Sequence, residues 1–281
     1  MKKIAVIGTG IMGSGIALNY LKNGYQVVVW NRSKDKLQPL IEQGAITATT
    51  PKEAAEKSDI VFEVSANDES SRLLWLGKDG ILAGVRKDSV LISSGTFSTQ
   101  WVDALAKICA ERGLSYFDMT LTGGRIGAET GKLTLLVGGD EKKLEEVKPD
   151  LQAISEKVLH FGKAGSGTRY KLLLNMLQAI HIVGLGEVLK IAEKTGMDVK
   201  KVGDALAERP GGTTTILTWR DYQKTPDPIN FSIQWIAKDL EYARQFADSL
   251  NMPLLDEVIK KYSEAVEKGL GQSDWTAVTK I

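Results

Sequence analysis

The chain has 281 residues, 43% of them hydrophobic, and a formal net charge of +1 at pH 7. This length can bury a sizeable core and favours two domains, while the near-zero charge gives no reason to expect nucleic acid or an anionic membrane as a partner. One cysteine and two histidines exclude a disulfide framework and leave almost no ligands for a metal site built from those residues. We therefore expect no metal, and the scarcity of cysteine suits a cytoplasmic protein.

A glycine-rich turn follows the first predicted strand, residues 3–7. It reads Gly8-Thr9-Gly10-Ile11-Met12-Gly13, and a helical pattern and a second apolar run at 26–30 come after it. In this context the spacing predicts a dinucleotide site, in which Gly8 permits the tight turn, Gly10 the approach of a pyrophosphate, and Gly13 close helix packing. The N–H groups at the start of the helix, at Ile11 and Met12, are then available to phosphate oxygens.

The residues after the second predicted strand bear on which dinucleotide binds. Asn31, Arg32 and Ser33 stand where an NAD-binding unit usually has Asp or Glu to bind the ribose 2′-hydroxyl. An amide, a guanidinium and a hydroxyl suit a 2′-phosphate instead, so the sequence predicts that NADPH is preferred over NADH, by roughly ten- to a hundred-fold. The alternative is that Arg32 is a solvated loop residue and that Ser33 caps the next helix.

The alternation of strands and helices continues through the first half of the chain. Further strands are predicted at 59–64, 89–93, 116–119, 133–137 and 157–161. This order is typical of a doubly wound sheet, in which ligands bind beyond the carboxyl ends of the strands. Three loops are therefore expected to face the ligands: 65–67, 94–98 and 120–125.

Strand signals end near Gly162, and the rest of the chain has helical periodicity. Residues 165–195 predict one helix of roughly 40 Å, and further helices are predicted at 198–208, 231–250 and 253–268, with a Gly/Thr-rich loop at 210–215. The predicted fold is α/β. An N-terminal Rossmann domain with a doubly wound sheet, residues 1–163, is joined by the long helix to an all-α domain, residues 164–281.

Two polar residues lie near the start of the long predicted helix. Lys171 and Asn175 are four residues apart and so share one face. For Lys171 considered alone, the commoner outcome is a side chain that extends to solvent.

Motifs along nearly the whole chain carry a family resemblance. They are GTGIMGSGIALNYLKNGYQVVVWNRS at 8–33, DMTLTGGRIGAETGKLTLLVGG at 118–139, GSGTRYKLLLN at 165–175, KDL at 238–240 and GQSDWTA at 271–277. In this order they resemble the β-hydroxyacid dehydrogenases, that is, the 3-hydroxyisobutyrate dehydrogenase family with its glyoxylate and succinic semialdehyde reductase relatives.

The resemblance implies the roles of the residues at the substrate. Lys171 is expected to be the catalytic lysine and Asn175 to orient the substrate. Thr122, Gly123 and Gly124 are expected to hold the anionic end of a small substrate, largely through backbone N–H groups.

The resemblance also implies contacts with the cofactor and with a second copy of the chain. Ser65, Ala66 and Thr96 are expected to line the nicotinamide side of the site, and Lys238 to reach into it from the helical domain. Relatives associate through the helical domain, so a homodimer or homotetramer is expected.

The substrate segment departs from the family's usual pattern, Asp-Ala-Pro-Val-Ser-Gly-Gly. Met119, Thr120, Leu121 and Thr122 replace the middle four residues here. Thr122 keeps a hydroxyl, so we expect the anion site to persist with different walls. Arg125 is either a second anchor, for a dianionic or sulfonated substrate, or a solvated loop charge.

The resemblance implies NAD(P)-dependent transfer of a hydride between nicotinamide and a short anionic hydroxyacid or semialdehyde, with Lys171 as general acid or base. An imine reductase that uses NADPH is an alternative, although members of that family usually have Asp or Tyr in place of this lysine. A catalytically silent NADP-binding module is another alternative, but such a module would be expected to lose Lys171 or the Gly-Gly pair.

Overall fold

The computed structural model describes residues 1–208 and 212–281. The chain divides into two compact units, Met1–Lys171 and Leu172–Ile281. The division falls inside the long helix, which spans Ser166–Lys194. The domain boundary expected between residues 163 and 164 stays a prediction.

The first unit, all of whose residues are described, is built on one eight-stranded sheet in the order β3-β2-β1-β4-β5-β6-β7-β8. The strands are β1 Lys3–Ile7, β2 Gln26–Trp30, β3 Ile46–Thr47, β4 Ile60–Glu63, β5 Val90–Ser93, β6 Ser115–Thr122, β7 Leu133–Gly138 and β8 Ser155–His160. Neighbouring strands are parallel apart from β6 and β7, which are antiparallel. The predicted doubly wound α/β fold is confirmed, while the two-residue strand β3 was not predicted from the sequence.

Helices cover both faces of the sheet. They are α1 Ile11–Lys22, α2 Gln38–Ile41, α3 Pro51–Glu56, α4 Asp68–Leu76, α5 Ile81–Gly84, α6 Thr99–Glu111, α7 Gly124–Thr130 and α8 Glu141–Leu151, with a 3₁₀ helix at Lys34–Leu37. Central strands such as β1 and β4 are buried on both sides for this reason. In β1, Ile4 and Val6 pack into the core on one face, whereas Ala5 and Ile7 pack into the core on the other.

The second unit is helical, as predicted. After α9, Ser166–Lys194, come α10 Val199–Glu208, α11 Gly212–Gln223, α12 Ile233–Ala247 and α13 Pro253–Ala265, followed by a π-helical turn at Val266–Leu270 and a 3₁₀ helix at Trp275–Lys280. Ile182 of α9, Ile236 of α12 and Tyr262 of α13 meet in its main core.

The loop predicted at 210–215 is wrong for residues 212–215, which form the first turn of α11. Residues 210 and 211 lie outside the described residues. The cause is tertiary packing, because Trp219 of α11 is buried and lies against Gly203 of α10, where a Cβ atom would be 2.3 Å from its ring. Burial of this aromatic side chain outweighs the weak helix propensity of the Gly/Thr segment.

Helix α9 is long and apolar enough to cross a membrane by length and composition alone. A core helix of a protein with no membrane segment meets the same criterion, so this is weak evidence. The absence of a membrane partner stays a prediction.

The start of α9 lies directly against the sheet. A Cβ atom on Gly167 would be 2.4 Å from the carbonyl oxygen of Leu136 on β7 and 2.7 Å from that of Asp118 on β6. These obstacles are backbone atoms, which cannot move aside as the end of a flexible side chain can. Only glycine fits at this position.

We predict that Gly167→Ala destabilises the protein and that Gly184→Ala, further along the same helix, does not. A Cβ atom at Gly184 would meet nothing within 4 Å, so the second variant should gain the helix propensity of alanine, about 1 kcal/mol. Overpacking at Gly167 should cost roughly 1–3 kcal/mol. Thermal denaturation of both variants measures the difference, and equal melting temperatures would contradict the close packing.

Candidate functional site

The glycines of the first turn differ in what their packing allows. Gly8 has φ +100°, and a Cβ atom there would lie 2.3 Å from the carbonyl oxygen of Val64. A Cβ atom on Gly13 would lie 1.9 Å from the carbonyl oxygen of Gly8, whereas one on Gly10 would meet nothing within 4 Å. Gly8 and Gly13 are thus required by the fold itself, and Gly10 borders open space in which a phosphate group can approach the backbone.

The start of α1 is the second part of this cradle. Its N-cap is Gly10, which has no side chain that could cap the helix. Ile11 is 44% exposed, and Met12 is half-buried. The first N–H groups of a helix have no partner within the helix, and the helix dipole makes this end positive. These groups fit the pyrophosphate of a dinucleotide.

Asn31 holds the glycine turn to the end of β2. Its Oδ1 accepts a hydrogen bond from Thr9 N–H at 3.1 Å, and its Nδ2 donates to the Ser33 carbonyl at 2.9 Å. Arg32 is exposed, and the Ser33 hydroxyl makes no capping bond to the 3₁₀ helix that follows. Ser33 thus stands at the N-cap position of that helix, as the alternative expects, but its side chain does not form the cap. Asn31 orders the turn, and Arg32 and Ser33 are the remaining candidates for contact with a 2′-phosphate.

Buried hydroxyl groups without a partner collect at the carboxyl ends of three adjacent strands. Thr9 follows β1, Ser65 follows β4 and Ser94 follows β5, and the hydroxyl of each makes no hydrogen bond within the described residues. Ala66 and Thr96 lie in the same two loops. An unbonded buried hydroxyl is costly, so these three groups favour a polar ligand at this edge of the sheet. A nicotinamide dinucleotide fits both them and the glycine cradle.

A buried carboxyl that was not predicted from the sequence supports the loop at 65–67. Glu63 is the last residue of β4 and is fully buried. It accepts hydrogen bonds from Ser65 N–H at 3.0 Å, from the Ser71 hydroxyl at 3.3 Å and from the Trp75 indole at 3.2 Å. Burial raises the pKa of Glu63 to about 7, although these donors act in the opposite direction.

The same network joins the 65–67 loop to the 94–98 loop. Trp101 donates to the Ser71 hydroxyl at 2.9 Å, and Asp68 accepts a bond from Ser98 N–H at 2.9 Å and another from the Ser98 hydroxyl at 2.5 Å. The two loops expected at the nicotinamide are therefore held together. The one signal of this network in the sequence is the glutamate at the end of a strand, and no role was predicted for it.

The segment expected to bind the substrate anion joins β6 to α7, and the expectation of a loop at 120–125 is wrong. Residues 120–122 belong to β6, and Arg125 lies in the first turn of α7. Gly123 and Gly124 have φ +119° and +58°, which only glycine adopts readily. This sharp turn directs the start of α7 away from the end of the strand.

Arg125 is a half-buried residue of α7 and does not lie in a loop. Its side chain is 26% exposed, and Nη1 lies 3.4 Å from the carboxylate of Glu129, one turn further along α7. Its Nε is buried and has no hydrogen-bond partner within the described residues. One face of the guanidinium therefore retains an unused donor beside Gly124.

Lys171 lies in the second turn of α9 and is half-buried. The first turn of that helix is bound to β6 through Asp118, which accepts hydrogen bonds from Gly165 N–H at 2.6 Å and Thr168 N–H at 2.7 Å. Burial raises the pKa of Asp118 to about 6. The lysine is thus on a helix whose start is fixed to the strand that ends in Thr122.

In the second unit, one buried carboxylate connects two of the predicted site residues. Asp239 is 1% exposed and accepts a hydrogen bond from Asn175 Nδ2 at 2.7 Å, while Lys238 Nζ lies 2.9 Å from its other oxygen. The Lys238 ammonium also lies 5.0 Å from the centre of the Tyr242 ring. Asp239 stands in the KDL motif but was not predicted to be a site residue.

Comparison with known proteins gives matches over both halves of the chain. Residues 3–162 match the model of the NAD-binding domain of 6-phosphogluconate dehydrogenase. Residues 165–281 match the model described as NAD-binding of NADP-dependent 3-hydroxyisobutyrate dehydrogenase.

Two relatives span nearly the full length. An uncharacterised oxidoreductase of Bacillus subtilis, YfjR, is 31% identical over 99% of this chain and 99% of its own. The NAD-dependent L-serine dehydrogenase of Pseudomonas aeruginosa is 27% identical over 100% of this chain and 98% of its own.

Two solved structures illustrate the fold. The 3-hydroxyisobutyrate dehydrogenase of Mycobacterium tuberculosis with L-serine has a TM-score of 0.89 at 24% identity, over 100% of this chain and 98% of that one. The imine reductase of Myxococcus stipitatus with NADP⁺ has a TM-score of 0.58 at 22% identity, over 99% of each chain. At such identities the likeness shows the fold alone.

Glu63 should make stability depend on pH. Its pKa in the folded protein, about 7, exceeds its ordinary value of 4.5, so the fold disfavours the ionised form. The free energy of unfolding that is lost by ionising Glu63 in the folded protein is zero well below pH 4.5. This loss grows as the pH rises towards 7 and reaches its full value above pH 7. Glu63→Gln should therefore gain stability relative to the parent protein between pH 5 and pH 8, by up to about 3 kcal/mol.

Melting temperatures across this range measure the effect. Glu53→Gln is the control, because the pKa of Glu53 lies at about 2 and its charge does not change in that interval. A Glu63→Gln variant whose melting temperature runs parallel to that of the parent protein would contradict the buried ionisation.

Proposed function

Because the chain belongs to the β-hydroxyacid dehydrogenase family, we propose that it transfers a hydride between NADP(H) and a short anionic hydroxyacid or semialdehyde, with Lys171 as general acid and base. The family consists of NAD(P)-dependent oxidoreductases that act on CH–OH groups. The nicotinamide supplies or takes up the hydride, and the residues of the chain bind, orient and exchange the proton.

The observation that carries the proposal is the double role of β6. The strand ends in Thr122, directly before the glycine turn proposed to bind the substrate anion. Four residues earlier, Asp118 binds the first turn of α9, whose second turn carries Lys171. One rigid element therefore supports both a place for an anion and the proposed proton donor.

The proposed chemistry of Lys171 follows from the charge that develops on the substrate. When a carbonyl is reduced, its oxygen gains negative charge, and an ammonium at that oxygen stabilises the charge and donates the proton. When an alcohol is oxidised, the neutral amine takes the hydroxyl proton. Asn175 contributes geometry, since its bond to the buried Asp239 fixes the orientation of its amide.

The proposed substrate is small and carries at least one negative charge. The backbone N–H groups at the start of α7 suit a carboxylate, and the buried Nε of Arg125 provides a further donor for an anionic group. We therefore favour the role of Arg125 as second anchor, which would accommodate a dianionic or sulfonated substrate.

The proposed preference for NADPH rests on Arg32 and Ser33. An exposed guanidinium at the end of β2 can approach a 2′-phosphate, and no carboxylate stands at 31–33 to accept bonds from a free 2′-hydroxyl. The relative that is NAD-dependent is only 27% identical, so it does not decide the preference for this chain.

We also propose that the chain is cytoplasmic, that it needs neither nucleic acid nor a membrane, and that it forms a homodimer or homotetramer. An exposed apolar stripe on α9 supports self-association, because monomers rarely expose such a row. Its members, 44–64% exposed, are Leu173, Leu177, Val188 and Ile191. Light scattering measures the mass of the assembly.

Lys171→Ala should reduce turnover by two orders of magnitude or more, because the proton donor is lost, while NADPH still binds. The assay follows NADPH absorbance with succinic semialdehyde, glyoxylate and a cyclic imine. Lys194→Ala is the matched control, since Lys194 is an exposed lysine at the other end of the same helix. Near-normal turnover in Lys171→Ala would disprove the role, and turnover of the imine alone would favour an imine reductase.

Arg32→Asp should raise the Michaelis constant for NADPH at least tenfold and leave that for NADH nearly unchanged, because a charge-assisted bond to the 2′-phosphate is lost. Lys22→Asp introduces the same change of charge at the far end of α1, where Lys22 is exposed, and should affect neither cofactor. If the Michaelis constants for NADPH and NADH change equally in Arg32→Asp, Arg32 does not bind the 2′-phosphate.

A further inference from the structure

Asp118 binds the start of α9 with both oxygens of its side chain. Oδ1 accepts from Gly165 N–H at 2.6 Å and Oδ2 from Thr168 N–H at 2.7 Å. Asp118 is fully buried in β6, 47 residues before Gly165 in the chain. A carboxylate from the sheet thus performs the task that a local N-cap residue usually performs.

The residue that precedes α9 cannot provide such a cap. Gly165 has φ +94°, and a Cβ atom there would lie 2.4 Å from the guanidinium of Arg169 and 2.7 Å from the carboxylate of Asp103. A helix that begins without a capping side chain leaves N–H groups unsatisfied and a positive dipole end without an anion. Asp118 supplies both the acceptors and the negative charge.

The joint between β6 and α9 has little room for adjustment. A Cβ atom on Gly138 would lie 2.4 Å from Asp118 Oδ1, and one on Gly167 would lie 2.7 Å from the Asp118 carbonyl oxygen. Glycine at both positions lets the helix and the carboxylate lie against the sheet. The first turn of α9 is therefore held in one position and one direction.

A second contact holds the outer side of the same turn. Arg169 donates to both carboxylate oxygens of Asp103 on α6, at 3.0 Å and 2.7 Å. This pair is more exposed than Asp118 and binds through one long side chain, so it fixes the backbone less strictly.

We propose that Asp118 is a positioning residue that sets the location of the Lys171 ammonium through the first turn of α9. The inference rests on the proposed function of Lys171. Lys171 follows Thr168 by three residues, so it lies one turn beyond the second bond to Asp118 and on a neighbouring part of the helix surface. A displacement of the reacting group by about 1 Å can cost roughly a hundredfold in rate.

The test is Asp118→Asn, which keeps the shape of the side chain but replaces one acceptor by a donor that faces an N–H group. We expect kcat to fall ten- to a hundredfold, with the Michaelis constant for NADPH changed less than twofold. The primary isotope effect with NADPH deuterated at C4 should rise, because the chemical step becomes slower. The substrate is whichever compound of the panel the parent enzyme reduces fastest.

Asp140→Asn is the matched control. Asp140 caps α8 with a bond from Lys143 N–H at 2.8 Å, and that helix carries no residue of the proposed site. This variant should keep the kcat and the isotope effect of the parent protein. A loss of active molecules in Asp118→Asn would lower kcat without a change in the isotope effect, and the number of NADPH sites per chain measures that loss directly.

Hydrogen exchange tests the joint without any substrate. Amide hydrogens of residues 165–168 should exchange faster in Asp118→Asn, and those at the start of α8 should not. Unchanged exchange in Asp118→Asn would overturn the inference. A normal kcat and isotope effect in this variant would overturn it too, and if Lys171→Ala is inactive, the proposed function still stands. Normal turnover in Lys171→Ala would overturn both.

Discussion

A buried carboxylate holds the first turn of α9, the longest helix in the described part of the chain. Asp118 accepts two backbone hydrogen bonds at the start of α9, and glycines on both sides of the joint remove the side chains that would separate helix and sheet. Bonds to both oxygens constrain orientation as well as distance. The sheet therefore determines where α9 begins, and the position of Lys171 follows from the pitch of the helix.

The nucleotide-binding half uses the same kind of support at a different strand. Glu63 ends β4 and collects donors from the loop that follows and from two buried side chains of α4. Burial raises the pKa of both Glu63 and Asp118, so each ionised carboxylate is held at a cost in stability. In return, the loops and the helix at the carboxyl end of the sheet have defined positions, which a binding site requires.

Asp239 extends this pattern to the second unit. It accepts a bond from Asn175 and lies beside the ammonium of Lys238, so two residues with different proposed partners share one buried anchor. A substitution of either residue would leave one oxygen of the buried carboxylate without its partner and would alter the carboxylate that the other residue contacts. Substitutions of Asn175 and Lys238 are therefore expected to be non-additive.

The sequence by itself determined the doubly wound sheet, the helical second half and the family, because glycine spacing, strand–helix alternation and motif order are local or periodic features. It misplaced the segments at 120–125 and 212–215 and missed the partners of Glu63, Asp118 and Asp239. The oxygen of Asp118 meets an N–H group 47 residues later, and that of Asp239 an amide 64 residues earlier. Only the tertiary structure decides such pairs, because the free energy of a buried charge depends on the donors that folding brings to it, and no spacing in the sequence records them.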